Sequence, residues 1–187
     1  MKDITIQPPA ILNGIDTLRQ KHSMGALRSD LDRGAVRFQA VNCWEGGTKT
    51  RSRITAFEAA DMRFSHSERF TVETDLPGAF LGDDRAPTPT EHALHSLAAC
   101  MTTTMVYICT ARGIEVRSAE AEVQGEMNAA GFTQVDDSVR RGFSCIRLRF
   151  NIDADAPDGE IQQMLEESPL FDVFTNGVPL TVEMLDD

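Results

Sequence analysis

The twenty residues from His92 to Ala111, HALHSLAACMTTTMVYICTA, contain no Asp, Glu, Lys or Arg, in a chain of which 25% is charged. A stretch of this kind must be covered by something other than water. About 20 residues suffice to cross a bilayer as a helix. Two His, one Ser and four Thr make this one far less apolar than a typical span. The expectation is a helix buried on most sides within the protein. It starts near Pro89 and runs to about Arg112, with Gly113 as a residue suited to end it. Leu94, Leu97, Ala98, Met101, Met105 and Ile108 recur at helical spacing and form its apolar stripe.

At 187 residues the chain can bury a sizeable core, and its hydrophobic content of 41% fits a globular protein. A net charge of -11 repels phosphates, which argues against nucleic acid or an anionic membrane as partner. The opening MKDITIQPPAIL lacks the apolar core and cleavage site of a signal peptide. Cys43, Cys100, Cys109 and Cys145 show no paired spacing and no CxxC, which predicts free thiols in a reducing cytoplasm.

Ile11, Ile15 and Leu18 are spaced for a short amphipathic helix, weakened by Gly14, and RSDLDRG reads as a polar link. In VRFQAVNCW, residues Val36, Phe38, Ala40 and Trp44 share one face of a strand. A turn at Glu45–Gly47 returns the chain through TKTRSRITAF, and ERFTVETD reads as a further strand. LPGAFLGDDRAPTPT reads as loop. After the long helix, Ala119, Ala121 and Val123 alternate with Glu120, Glu122 and Gln124. Ile146, Leu148 and Phe150 alternate with Cys145, Arg147 and Arg149. Antiparallel pairing of these strands would set acidic against basic side chains. A second helix turns Ile161, Met164 and Leu165 inward and breaks at Ser168-Pro169, where Ser168 reads as the N-cap of a last helical turn, LFDVF. VPLTVEML reads as a closing strand. The order of strands, long helix, strands, helix and strand is α+β.

APTPTEHALHSLAACMTTTMVYICTARGIEV resembles the reactive-cysteine region of the OsmC/Ohr family, the osmotically inducible protein C and organic hydroperoxide resistance proteins. FTVETDLPGAFLGDDRAPTP resembles the loop before it, and ESPLFDVFTNGVPLTVEM the family's C-terminal end. The resemblance covers roughly residues 36–184, leaving 1–35 as an N-terminal helical arm and linker before an OsmC-like domain at 36–187. It implies an intertwined homodimer, a curved antiparallel sheet from both chains wrapped around long central helices. It also implies a thiol-dependent peroxidase acting on organic hydroperoxides or hydrogen peroxide, with an external thiol as reductant and no cofactor.

The resemblance places Cys100 at the peroxidatic position, where a thiolate attacks a hydroperoxide and becomes a sulfenic acid. Among arbitrary helical cysteines, a small buried residue is the commoner role. Glu91 matches the family's Glu, which orients an arginine beside the thiolate. On one continuous helix it lies nine residues from Cys100, on the far side, and an acidic residue at a helix start is favourable in itself. The hydroperoxide-resistance branch carries its arginine directly after the Gly-Gly turn. Here Thr48 stands there, followed by Lys49, Arg51 and Arg53; Arg51 and Arg53 share a face, so either could reach inward, with Arg51 the candidate and a solvated strand charge the simpler reading. The resolving cysteine of two-cysteine members is replaced by Ser168, which cannot form a disulfide. Cys109 cannot resolve Cys100, because nine residues put the thiols on opposite helix faces about 13 Å apart along the axis. Cys145 and Cys43 remain as stand-ins. His92 and His95 are helical neighbours, but Cys100 lies about 140° around from His95, so no metal site is expected. The missing second cysteine and displaced arginine keep a second function open: a non-catalytic homodimer of this fold that binds an apolar small molecule at the subunit interface.

Overall fold

The computed structural model describes residues 10–184. The chain divides into two units, one spanning Asp16–Ala93 and the other joining the segment that ends at Ile15 to everything from Leu94 onward.

The Asp16–Ala93 unit opens with α1 (Thr17–Ser29), whose first turn is capped by the Asp16 carboxylate accepting from Arg19 N at 2.9 Å. A four-stranded antiparallel sheet follows, made of β3 (Val36–Phe38), β4 (Val41–Gly46), β5 (Lys49–Ala59) and β6 (Met62–Thr74). β5 is central. β6 pairs along one edge, while β3 and β4 pair with opposite ends of the other. The run VRFQAVNCW is therefore two strands, interrupted at Gln39–Ala40, rather than one. Phe38 stands opposite Phe57, and Trp44 opposite Thr50. β6 extends further back than ERFTVETD because Ala60 and Asp61, both at positive φ, make the tight turn that two-residue hairpins need.

The N-terminal segment corrects the sequence expectation. Ile11–Leu12 (β1) and Ile15–Asp16 (β2) form a small hairpin, not a helix, and the helix begins only at Thr17. Asn13 and Gly14, at φ 52° and 78°, supply the left-handed turn that decides this. Asn13 also ties the hairpin down, donating to Thr110 Oγ1 (3.1 Å) and the Ile114 carbonyl (2.9 Å) and accepting from Val116 N.

The long helix, α2 (Pro89–Arg112), has the predicted limits. It ends with Ile114 N donating to Cys109 O and Gly113 N to Thr110 O, and Gly113 at φ 77° makes that reversal without strain. Leu97, Met101, Met105 and Cys109 are buried against Ile161, Met164 and Leu165 of α4 (Asp158–Glu166), and the apolar face of β8 (Cys145–Ala154) packs on this core. β8 pairs antiparallel with β7 (Val116–Glu126), and the register sets Glu122 opposite Arg149 and Gln124 opposite Arg147. Arg149 meets Glu122 at 3.4 Å, so the charge complementarity legible in the sequence is present. Cover on α2 is one-sided, since Ser96, Ala99, Thr103 and Tyr107 are exposed in the single chain. By length and composition alone α2 is able to cross a membrane: its best 18-residue window has mean hydropathy 1.2, with 33% of it buried. A core helix meets the same criterion.

A short helix, α3 (Ala129–Phe132), lies between β7 and β8, and α5 (Pro169–Asn176) follows α4. Ser168 occupies the expected N-cap position of α5, although its hydroxyl makes no capping hydrogen bond. One further expectation is corrected here: residues 178–184 form no strand, since they join none of the ladders among the described residues, and Leu185 falls outside those residues. Val178, Leu180, Val182 and Met184 keep the period-two pattern and are 56%, 83%, 80% and 90% exposed.

Candidate functional site

Cys100 lies midway along α2, at the border between the buried stripe (Leu97, Met101) and the exposed positions Ala99 and Thr103. It is half-buried, and among the described residues its thiol has no hydrogen-bond partner. Cys109 differs in every respect. It is fully buried and donates to the sulfurs of Met105 (3.6 Å) and Met164 (3.5 Å). Burial pushes its thiol above the ordinary range and so disfavours the reactive thiolate. Of the two helix cysteines, only Cys100 has a route to solvent.

Glu91 closes a reciprocal cap at the start of α2. Its carboxylate accepts from Thr88 N at 2.7 Å, and Glu91 N donates to Thr88 Oγ1 at 3.1 Å. Pro89, in the first helical position, needs no partner for the N–H it lacks. The hydrogen bond from Thr88 N holds the Glu91 carboxyl below its usual range. The pattern Thr-Pro-Thr-Glu before an apolar run was the available signal. Glu91 and Cys100 sit two and a half turns apart on opposite sides of one helix.

Arg51 lies in β5, opposite Cys43 on β4 and Glu73 on β6. Its guanidinium pairs with Glu73 at 2.9 Å and with Glu45 at 3.3 Å. Arg51 and Glu91 belong to the Asp16–Ala93 unit, and Cys100 to the other. Ser168 is 1% exposed, and its Oγ has no partner among the described residues. Cys145 is exposed on β8 opposite Glu126, and Cys43 is exposed on β4. His92 Nε2 lies 3.0 Å from the Glu73 carbonyl. Among the described residues no group of three or more His, Cys, Asp or Glu is gathered to hold a metal ion.

The sequence reading missed Asp75, which organises the loop before α2. Its buried carboxylate accepts from Thr48 Oγ1 (2.6 Å), Leu76 N (2.9 Å), Arg85 N (3.2 Å) and Asp83 N (3.3 Å). These bonds, the one from Thr48 foremost, hold its carboxyl below the usual range. Thr48, directly after the Gly46-Gly47 turn, is thus committed to the loop. Gly82 completes the turn: a Cβ there would sit 1.7 Å from the Leu76 carbonyl oxygen. An Asp opening a Pro/Gly-rich loop was the only sequence hint.

The profile of the OsmC-like protein family matches residues 82–183, a stretch that begins at Gly82 and holds α2 with Cys100, β7, β8, α4 and α5. Two solved structures share the fold. A protein named for osmotic stress induction and detoxification response, from Psychrobacter arcticus 273-4, aligns with TM-score 0.55 and 18% identity over 74% of this chain and 88% of its own. An OsmC-like protein from Mycoplasma pneumoniae aligns with TM-score 0.54 and 14% identity over 75% and 88%. Among curated proteins there is no significant match. The matched stretch is more than half of the 187 residues and carries the long helix with its half-buried cysteine; the chain belongs to the OsmC-like family.

Proposed function

We propose that the protein is a one-cysteine, thiol-dependent peroxidase in which Cys100 reduces organic hydroperoxides or hydrogen peroxide. The observation that carries this reading is the contrast on α2 between half-buried Cys100 and fully buried, sulfur-bonded Cys109. The Cys100 thiolate attacks the distal oxygen of ROOH, the O–O bond breaks, and the alkoxide leaves and takes a proton as ROH. The cysteine is left as sulfenic acid, oxidised by two electrons. With Ser168 in the resolving position, an external thiol condenses with the sulfenic acid and releases water. A second external thiol then reduces the mixed disulfide and returns Cys100 to its thiol.

The active form is proposed to be a homodimer in the cytoplasm. In support, one side of α2 is open in the single chain, and the alternating apolar residues of 178–184 are exposed and join no sheet among the described residues. A second copy would cover both. The second reading, a non-catalytic dimer that holds an apolar molecule at the subunit interface, draws support from Glu91 and Arg51. Both are engaged by neighbours of their own, Thr88 for one and Glu45 with Glu73 for the other.

Turnover separates the two. With dithiothreitol as reductant, wild-type protein is expected to consume cumene hydroperoxide catalytically. Cys100→Ser is expected to lose all of this activity, and Cys43→Ser and Cys145→Ser to keep it. No consumption by folded wild-type protein would put the binding module first.

A further inference from the structure

A groove of about 520 Å³ opens beside β8 and α5, wholly within the unit that begins at Leu94. Leu97, Phe143, Ile146, Leu148, Phe171 and Phe174 form the apolar part of its lining. The size is that of a small-molecule site. Arg140, Ser144, Cys145 and Thr175 supply its polar groups. Arg140 is held in place by donating through Nε to the Phe143 carbonyl at 2.6 Å, and among the described residues it makes no ion pair. Its neighbours Arg141, Arg147 and Arg149 each meet a carboxylate, so Arg140 is the cation of this part of the chain left without one. The Phe143 wall is also fixed, since its ring lies where a Cβ on Gly125 would be, 2.4 Å from that position.

We propose that this groove binds an apolar molecule with a carboxylate head, such as a medium-chain fatty acid, its chain against Phe143, Phe171 and Phe174 and its head on Arg140. A guanidinium fixed through Nε and without a carboxylate partner, beside the three phenylalanines, selects an anion over an alcohol or an amine. The assignment is independent of Cys100, because the groove has its own thiol, Cys145, which serves as a reporter.

The test is the rate at which iodoacetamide alkylates Cys145, followed by peptide mass spectrometry on the full-length protein, with exposed Cys43 as internal control. Decanoate is expected to slow alkylation of Cys145 and leave Cys43 unchanged. Decanol and decylamine at the same concentration are expected to protect much less. Arg140→Gln is expected to weaken decanoate protection about tenfold, with Arg140→Lys retaining part of it. Equal protection by decanol, equal slowing at Cys43, or undiminished protection in Arg140→Gln would overturn the proposal. So would a Cys145 that is unreactive without ligand, which would put a second copy over the groove. If Arg140→Gln fails to fold, the comparison of decanoate with decanol on wild-type protein decides alone.

Discussion

Ser168 carries a hydroxyl that is buried and makes no hydrogen bond among the described residues. A buried, unsatisfied hydroxyl costs about 1–3 kcal/mol. The backbone at Ser168 already serves α5, with its carbonyl accepting from Asp172 N, so the side chain adds nothing to the cap. Ser168→Ala is therefore expected to leave stability unchanged or raise it by about 1 kcal/mol in urea denaturation. A loss of that size would mean that the hydroxyl has a partner, a bound water or a second copy. In the proposed peroxide cycle, serine rather than cysteine at this position leaves no resolving thiol there. One residue thus bears on stability and on chemistry for unrelated reasons.

At the scale of elements, the start of α2 depends on a charge. The Glu91 carboxyl titrates below its usual value of about 4.3 because the ionised form accepts from Thr88 N. Its contribution is present above that value and is lost as pH falls through the lower folded-state value. The melting temperature of Glu91→Ala is expected to fall below wild type at pH 7, and the gap to narrow near pH 3. A gap that is constant with pH would mean that the ionised cap contributes nothing. The helix itself was legible from its missing charges, its stripe and Gly113, and α4 from Ile161, Met164 and Leu165. These features lie in sequence at helical spacing. The β7–β8 pairing was legible because both strands alternate strictly and carry opposite charges. The Asn13-Gly14 hairpin was missed because Ile11, Ile15 and Leu18 fit a helix equally well, and local turn chemistry decided between them. The Asp75 loop was missed because its bonds come from Thr48 and from Leu76, Asp83 and Arg85, a convergence that spacing does not reveal. The break at Gln39–Ala40 was missed because β3 and β4 pair with different ends of β5.

At the scale of the whole molecule, several large apolar side chains remain open in the single chain. Phe38, tilted against Phe57, which stacks on Phe64, is 79% exposed, and Trp44 is 73% exposed. In the other unit the apolar members of 178–184 are exposed as well, and areas of this kind mark interaction sites. Light scattering at micromolar concentration is expected to give a dimer mass. Leu180→Asp with Val182→Asp is expected to shift it toward monomer, since each places an uncompensated charge in the proposed contact. A folded wild-type monomer would contradict the assembly proposed here. The chemistry proposed for that assembly rests on Cys100, and intact-mass spectrometry after one equivalent of cumene hydroperoxide tests it most directly. The expected result is a gain of one oxygen atom, lost in Cys100→Ser, kept in Cys145→Ser and reversed by added thiol. A loss of two hydrogens would instead reveal an internal disulfide, and an unchanged mass under conditions that oxidise a control peroxidase would contradict a reactive Cys100.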